Sequence, residues 1–274
     1  MARLHEIASG FSFLEGVRWH EDRLFVSDVY ANSVISATLS GRVDVVADVP
    51  GMPSGLGWLP DGELLIVSMK DRRLLRLAHD GSLSEHADLS GFTPWFINDM
   101  FVDQSGRAYV GCVGYDLMAG AEPKPADLLC VEPGGSARVA ADALEFPNGM
   151  AMVHDGATLL VAETAGHRIS AFSPIGNEGL SDRREWASLN GVDPDGICAA
   201  SDGTVWVADS AHHRVVRVEQ GRGVVQEIST GSLHAFTCVM GGARGDTLFI
   251  CAAPSYREDE RRGTRDAVIL AIDV

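Results

Sequence analysis

Phe146-Pro147-Asn148-Gly149-Met150-Ala151-Met152 leads into a turn at His154-Asp155-Gly156 and then into Thr158-Leu159-Leu160-Val161-Ala162-Glu163. A polar residue, Asn148, opens a short apolar strand, and seven residues later the chain turns back on itself. The same offset separates Glu15 from Asp22, Ser54 from Asp61, Asn98 from Ser105, Asp195 from Asp202 and Thr237 from Arg244. Each pair flanks a strand-length segment and is followed by a β-rich run. The sequence therefore carries six copies of one supersecondary unit.

Each unit reads as four strands. In the first, Gly16-Val17-Arg18-Trp19 precedes Leu24-Phe25-Val26-Ser27-Asp28, Val34-Ile35-Ser36-Ala37 and Val43-Asp44-Val45-Val46. The second repeats this with Leu56-Gly57-Trp58, Leu64-Leu65-Ile66-Val67, Leu74-Leu75-Arg76-Leu77 and Leu83-Ser84-Glu85-His86. Asp-Gly and Ser-Gly pairs mark the hairpin turns between them. A repeat of roughly 40 to 50 residues is the size of a four-stranded propeller blade. The prediction is an all-β, six-bladed β-propeller that occupies residues 1–274 as a single domain. The last unit, ending at Ala267-Val268-Ile269-Leu270-Ala271-Ile272, lacks one strand, so Leu4-His5-Glu6-Ile7 is expected to close the ring as its outer strand.

Composition fits this reading. A hydrophobic content of 46% supplies a large core, and 30 glycines with 11 prolines suit a turn-dense chain. The formal charge of −16 argues against nucleic acid as a partner, because basic surface supplies most of that affinity. Cys112, Cys130, Cys198, Cys238 and Cys251 are widely spaced without a CxxC pair, which favours buried reduced thiols. Met1-Ala2-Arg3-Leu4-His5-Glu6 lacks the apolar run of a signal peptide and no segment has the length of a membrane span, so a cytoplasmic location without a membrane partner is expected.

In a propeller the first residues of the innermost strands converge at one mouth of a central channel. Here those positions are Glu15, Ser54, Asn98, Asn148, Asp195 and Thr237, all polar and all carrying oxygen. Two carboxylates and two amides suit a hard divalent cation such as Ca²⁺; a water-filled channel mouth is the alternative reading of the same ring. Asn148-Gly149 or Asp195-Gly196 taken alone would be ordinary turn dipeptides. Two long loops share the mouth face, Gly114 to Ala126 and Pro254 to Arg265. The first, with Tyr115-Asp116-Leu117-Met118, is the lid candidate. The second, with Arg257-Glu258-Asp259-Glu260-Arg261-Arg262, reads as a solvated surface loop.

Phe13-Leu14-Glu15-Gly16, Ile97-Asn98-Asp99, Phe146-Pro147-Asn148-Gly149-Met150 and Asp193-Pro194-Asp195-Gly196-Ile197-Cys198 resemble, in order and over essentially the whole chain, motifs of the senescence marker protein-30/gluconolactonase/luciferin-regenerating enzyme family. The resemblance implies a six-bladed propeller with one divalent metal in the channel, most often Ca²⁺, with Zn²⁺, Mg²⁺, Mn²⁺ or Fe²⁺ as alternatives. It matches Glu15, Asn148 and Asp195 to the family's metal ligands, and Asn98 to a residue that ligates the metal or contacts substrate. It further implies hydrolysis of a small-molecule lactone or ester. Sugar-lactone-hydrolysing members carry an arginine two residues before the Asn98 equivalent, where this chain has Phe96 preceded by Trp95. Asp116 falls near an acidic substrate contact of those members. With Phe13, Tyr115, Met118, Phe146 and Phe236 nearby, the pocket reads as less polar than a sugar site, although aromatics at such positions also serve as blade packing.

These readings combine into a metal-dependent lactonase. The metal polarises the carbonyl, and Asp195 acts as general base on water or as a direct nucleophile. Substrate contacts are expected from Asn98, Phe96, Tyr115, Asp116 and His234, the last also a candidate accessory acid or base. No Gly-x-Ser-x-Gly elbow is present. A phosphotriesterase using the same ligands, a non-catalytic ligand-binding propeller and a metal-binding regulator are the rival readings.

Overall fold

A computed structural model describes residues 3–154, 156–176 and 179–274, so Asp155 of the opening motif lies outside the described residues. The first strand, β1 (His5–Phe11), is followed by β2 (Leu14–His20), β3 (Arg23–Asp28), β4 (Ser33–Ala37) and β5 (Val43–Asp48), the last four forming blade 1. Blade 2 is β6 (Pro53–Trp58), β7 (Leu64–Ser68), β8 (Arg73–Leu77) and β9 (Leu83–Asp88). Blade 3 is β10 (Ile97–Val102), β11 (Ala108–Cys112), β12 (Ala126–Val131) and β13 (Ala137–Leu144). Blade 4 comprises β14 (Pro147–Val153), β15 (Thr158–Glu163), β16 (Arg168–Ile175) and β17 (Gly179–Ser188). Blade 5 comprises β18 (Pro194–Ala199), β19 (Val205–Asp209), β20 (Arg214–Glu219) and β21 (Gly223–Ser229). Blade 6 takes β22 (His234–Gly241), β23 (Thr247–Ala253) and β24 (Ala267–Asp273) from the end of the chain and β1 from its beginning. His5 faces Ala271 across the β1–β24 pair, as the missing strand required.

Burial follows position within a blade. The second strands are covered on both faces by neighbouring blades, and Val205-Trp206-Val207-Ala208-Asp209 of β19 is buried throughout. Such strands read as unbroken apolar runs. The fourth strands are peripheral: in β5 only alternate side chains are even partly covered up to Val45. All five cysteines are buried and free.

The first strands of successive blades lie against one another around the channel: β2 on β6, β6 on β10, β10 on β14, β14 on β18, β18 on β22 and β22 on β2. Each is irregular at one place, at or beside its mouth residue. Pairing slips between Glu15 and Arg18, Pro53 and Leu56, Ile97 and Met100, Pro147 and Met150, Pro194 and Ile197, and Ala235 and Thr237. Bulges of this kind re-aim side chains. In blade 1 the bulge is Gly16, with φ +61°, where a Cβ would fall 2.3 Å from the Ser54 carbonyl oxygen. In blade 4, a Cβ on Gly149 would fall 2.5 Å from the Asp195 carbonyl oxygen. Glycine here lets one blade's bulge press on the next blade's mouth residue. Blades 3 and 6 depart from this pattern, with Asp99 and Cys238 at the corresponding places.

Loops between second and third strands are short in blades 1, 2, 4 and 5 and long in blades 3 and 6. Among the described residues, no helix is long and apolar enough to cross a membrane.

Candidate metal centre and active site

All six mouth residues are buried, with Glu15 and Asp195 the most accessible of the ring at 7%. Glu15, Asn98, Asn148 and Asp195 line one cavity of about 530 Å³. Hydrogen bonds run around the ring. Ser54 Oγ donates to Asn98 Oδ1 at 3.1 Å, Asn98 Nδ2 donates to Asn148 Oδ1 at 3.0 Å, and Asn148 Nδ2 donates to Thr164 Oγ1 at 3.1 Å. Thr164 Oγ1 donates in turn to the carbonyl of Pro194 at 2.7 Å, one residue before Asp195. The amide planes are thereby fixed, and because an amide oxygen has two lone pairs, each retains capacity for a further partner.

The acids are under electrostatic stress. Burial, reinforced by the facing charges of Asp195 and Asp99, holds the Glu15 carboxyl well above the usual carboxylate range. Burial and the charge of Asp99 do the same to Asp195, against a hydrogen bond from Asn148. Among the described residues, Asp195 Oδ1 and Thr237 Oγ1 are buried without a hydrogen-bond partner. An unsatisfied buried acceptor costs about 1–3 kcal/mol, more when charged. A cation between Glu15 and Asp195 would satisfy the orphaned oxygen and offset the repulsion, so these residues fit a divalent metal. Among the described residues, no group of three or more His, Cys, Asp or Glu is arranged to hold one. Any cation at this mouth must therefore draw on the amide oxygens as well, an all-oxygen set suited to hard ions.

Three buried carboxylates behind the ring hold the segments entering the inner strands. Asp28 Oδ1 accepts the N–H groups of Ser12 and Phe13 at 3.1 and 3.2 Å, ahead of Glu15. Glu163 Oε2 accepts the N–H of Glu145 at 2.7 Å, ahead of Asn148. Asp209 Oδ1 accepts the N–H of Asp193 at 3.1 Å, ahead of Asp195. Each ends the second strand of its blade, and the three blades concerned are those matched by motif to the metal ligands. Ser68, Cys112 and Ala253 end the second strands of the other three. These clamps were missed in the sequence, where a terminal acid such as Asp28 looks like turn chemistry; its recurrence at one repeat register was the available signal.

The cavity walls are apolar. Phe13, Tyr115, Met118, Phe146 and Phe236 all line it, with Val113, Leu117 and Tyr30. Phe13 and Phe236 meet edge to face at 4.8 Å, as do Tyr115 and Phe146 at 5.9 Å. Burial raises the Tyr115 hydroxyl. Phe96 and Asp116 are not among the residues that line the cavity. Phe96 packs behind the wall, against the Val113–Tyr115–Phe146 cluster. Asp116 turns into its own loop, where Oδ1 accepts the Ala119 N–H at 3.1 Å. His234 does line the cavity, but its Nε2 lies 3.0 Å from His213 Nε2 and its Nδ1 is buried. Burial and the facing His213 lower its proton affinity. An acid–base role for His234 requires that imidazole pair to separate.

The charged run of the sixth-blade loop is mostly exposed, as expected, but the loop also contributes Pro254, Ser255, Tyr256 and Arg257 to the lining. Arg261, in the short helix α1 (Glu258–Arg261), is buried; its Nε donates to the Ser12 carbonyl at 3.2 Å and its guanidinium pairs with Asp266. The Tyr30 hydroxyl donates to the Tyr256 carbonyl. Loops of blades 3 and 6 together flank the entrance.

The family model for the SMP-30/gluconolactonase/LRE-like region matches residues 13–254, from the approach to Glu15 through the last mouth residue and β23. The chain belongs to this family. Regucalcin from Danio rerio is 27% identical over 161 residues, 57% of this chain and 54% of the relative. An uncharacterised protein of Sulfolobus acidocaldarius is 27% identical over 165 residues, 58% of each. The chain spans about half the length of the curated relatives it matches. Among solved structures, a luciferin-regenerating enzyme superposes with a TM-score of 0.86 at 15% identity, covering 100% of this chain and 96% of the other. A gluconolactonase from Xanthomonas campestris gives 0.79 at 24% identity, covering 99% and 89%. A calcium-binding regucalcin from Agrobacterium tumefaciens gives 0.80 at 19% identity, covering 97% and 92%. At these identities the structural likeness to SMP-30/gluconolactonase/LRE proteins establishes the propeller fold.

Proposed function

We propose that this chain is a metal-dependent hydrolase that opens a lactone less polar than a sugar lactone. The observation that carries the reading is the pair of buried carboxylates, Glu15 and Asp195, beside two fixed amides at the floor of an apolar-walled cavity. Family membership and structural neighbours named as a gluconolactonase and a calcium-binding regucalcin support it. Glu15, Asn98, Asn148 and Asp195 would hold the metal, and their hard oxygens favour Ca²⁺. When bound, the cation supplies Lewis-acid polarisation of a carbonyl oxygen.

The remaining work falls to the chain's own side chains. Phe13, Phe146, Tyr115 and Phe236 enclose the ring of the substrate and exclude bulk water. Asn98 and Asn148, locked by their neighbours, orient the ester over Asp195. The Asp195 carboxylate accepts a proton from the attacking water as the new C–O bond forms. The ring C–O bond then breaks and the leaving alkoxide takes the proton back from Asp195, giving a hydroxy acid. At the position where sugar-lactone-hydrolysing members carry an arginine this chain has Phe96, which packs against Val113, Tyr115 and Phe146 and offers no hydrogen bond to a sugar hydroxyl.

Proton release from a panel of sugar, alkyl and aromatic lactones, before and after chelation and Ca²⁺ restoration, tests this reading. Metal-dependent turnover biased toward the less polar lactones is expected, and Asp195→Asn should abolish it while the fold is retained. Absence of turnover on every lactone with metal bound would refute it.

A further inference from the structure

Just past the mouth ring in sequence, a side chain of blade 1 pairs with blade 3. Arg18, three residues after Glu15 on β2, reaches past blade 2 to blade 3, where its Nη2 donates to Asp99 Oδ1 at 2.8 Å and to the Met100 carbonyl. Its Nη1 donates to the Val17 carbonyl at 2.9 Å. The Asp99 side chain is 5% exposed and that of Arg18 is 19% exposed. Asp99 can be here because blade 3 lacks the bulge glycine, and the bare Gly55 of blade 2 faces it: a Cβ on Gly55 would lie 2.9 Å from Asp99 Oδ1.

Asp99 is close enough to add its charge to the stress on both Glu15 and Asp195, and Arg18 relieves Glu15. These four interacting groups, the carboxylates of Glu15, Asp99 and Asp195 and the Arg18 guanidinium, leave two negative charges when all are ionised. That is the complement of one divalent cation. A second observation points to a ligand: Asp195, more than nine-tenths buried, keeps Oδ1 unpartnered at the cavity floor.

We propose that Arg18, paired with Asp99, is a specificity-determining residue that matches the mouth to a divalent rather than a trivalent cation. The proposal rests on the metal-dependent reading above. A purely structural strut between blades 1 and 3 would make a different prediction: removing either end would weaken every cation alike. A charge filter makes the two ends act in opposite directions. Without Arg18 the floor carries an additional uncompensated negative charge, and without the Asp99 carboxylate it carries an uncompensated positive one.

The test is calorimetric titration of the chelator-stripped full chain with Ca²⁺ alone and with La³⁺ alone. It is run on wild type, Arg18→Met, Asp99→Asn and the double variant. The La³⁺/Ca²⁺ affinity ratio is expected to rise roughly tenfold in Arg18→Met, to fall roughly tenfold in Asp99→Asn, and to return to the wild-type value in the double variant. If Arg18→Met does not fold, Asp99→Asn still decides, because its ratio must fall. Unchanged ratios, or equal losses for both ions, with Ca²⁺ bound by wild type, overturn this proposal alone. Failure of the wild type to bind either ion overturns the metal-dependent reading and this proposal together.

Discussion

Asp209 receives the backbone N–H of Asp193 and, through its other oxygen, the Arg214 Nε at 2.9 Å, so one buried carboxylate joins the entry to β18 to the start of β20. His212 Nδ1 is a further partner at 2.9 Å. Asp209→Ala leaves Arg214 with Glu227 and the Gly191 carbonyl but releases the segment that aims Asp195. Losing the acceptor of the Asp193 N–H costs about 1–3 kcal/mol. Urea unfolding should show that loss, and lactone turnover should fall further than the remaining folded fraction explains.

Metal-free protein should lose stability as pH rises. The Glu15 and Asp195 carboxyls bind protons more tightly in the folded than in the unfolded chain, because burial and facing charges penalise their ionised forms. From about pH 4, where unfolded carboxylates titrate, up to the raised folded values, the folded state holds more protons, so its stability falls with pH. Ca²⁺ should offset this. The gain in melting temperature on adding Ca²⁺ is expected to be larger near neutrality than near pH 4.5, and a gain independent of pH would contradict the assignment.

Gly149→Ala should be costly out of proportion to one methyl group. The added carbon would meet the Asp195 carbonyl oxygen at 2.5 Å and the Ile197 nitrogen at 2.5 Å, both backbone atoms. Forcing β14 and β18 apart is an overpacking change of about 1–3 kcal/mol. Thermal unfolding and Ca²⁺ titration on the same sample should both show a loss.

Tyr30→Phe removes the hydroxyl that reaches the Tyr256 carbonyl and nothing else. A single such bond contributes about 0.5–1.5 kcal/mol, too little to unfold the ring. Hydrogen exchange across residues 254–265 should accelerate while the blade strands remain protected. KM for a preferred lactone should rise with little change in kcat.

Much of this was legible in the sequence because a propeller repeats. A polar residue opening an apolar strand at one offset, from Glu15 to Thr237, located the ring before any coordinates, and the short last unit called for β1. What the sequence hid were contacts made across repeats. Nothing local connects Arg18 to Asp99, which lie 81 positions apart. The charged run Arg257–Arg262 looks solvated until Ser12 and Asp266 supply partners for Arg261. Phe96 stands in the right motif, but only packing against Tyr115 and Phe146 shows that it lies behind the wall.

The hydrogen-bond chain from Ser54 through Asn98, Asn148 and Thr164 to Pro194 has an evolutionary corollary. Blades 2 to 5 share one continuous set of donors and acceptors, so a blade exchanged from a paralogue within that arc must arrive with a matching partner at its mouth. Blade 6 contributes only Thr237, whose hydroxyl is tied to no neighbour among the described residues. A replacement for that blade need match no donor at the ring, but its long loop must keep a partner for the Ser12 carbonyl, just ahead of Glu15, in the place of Arg261.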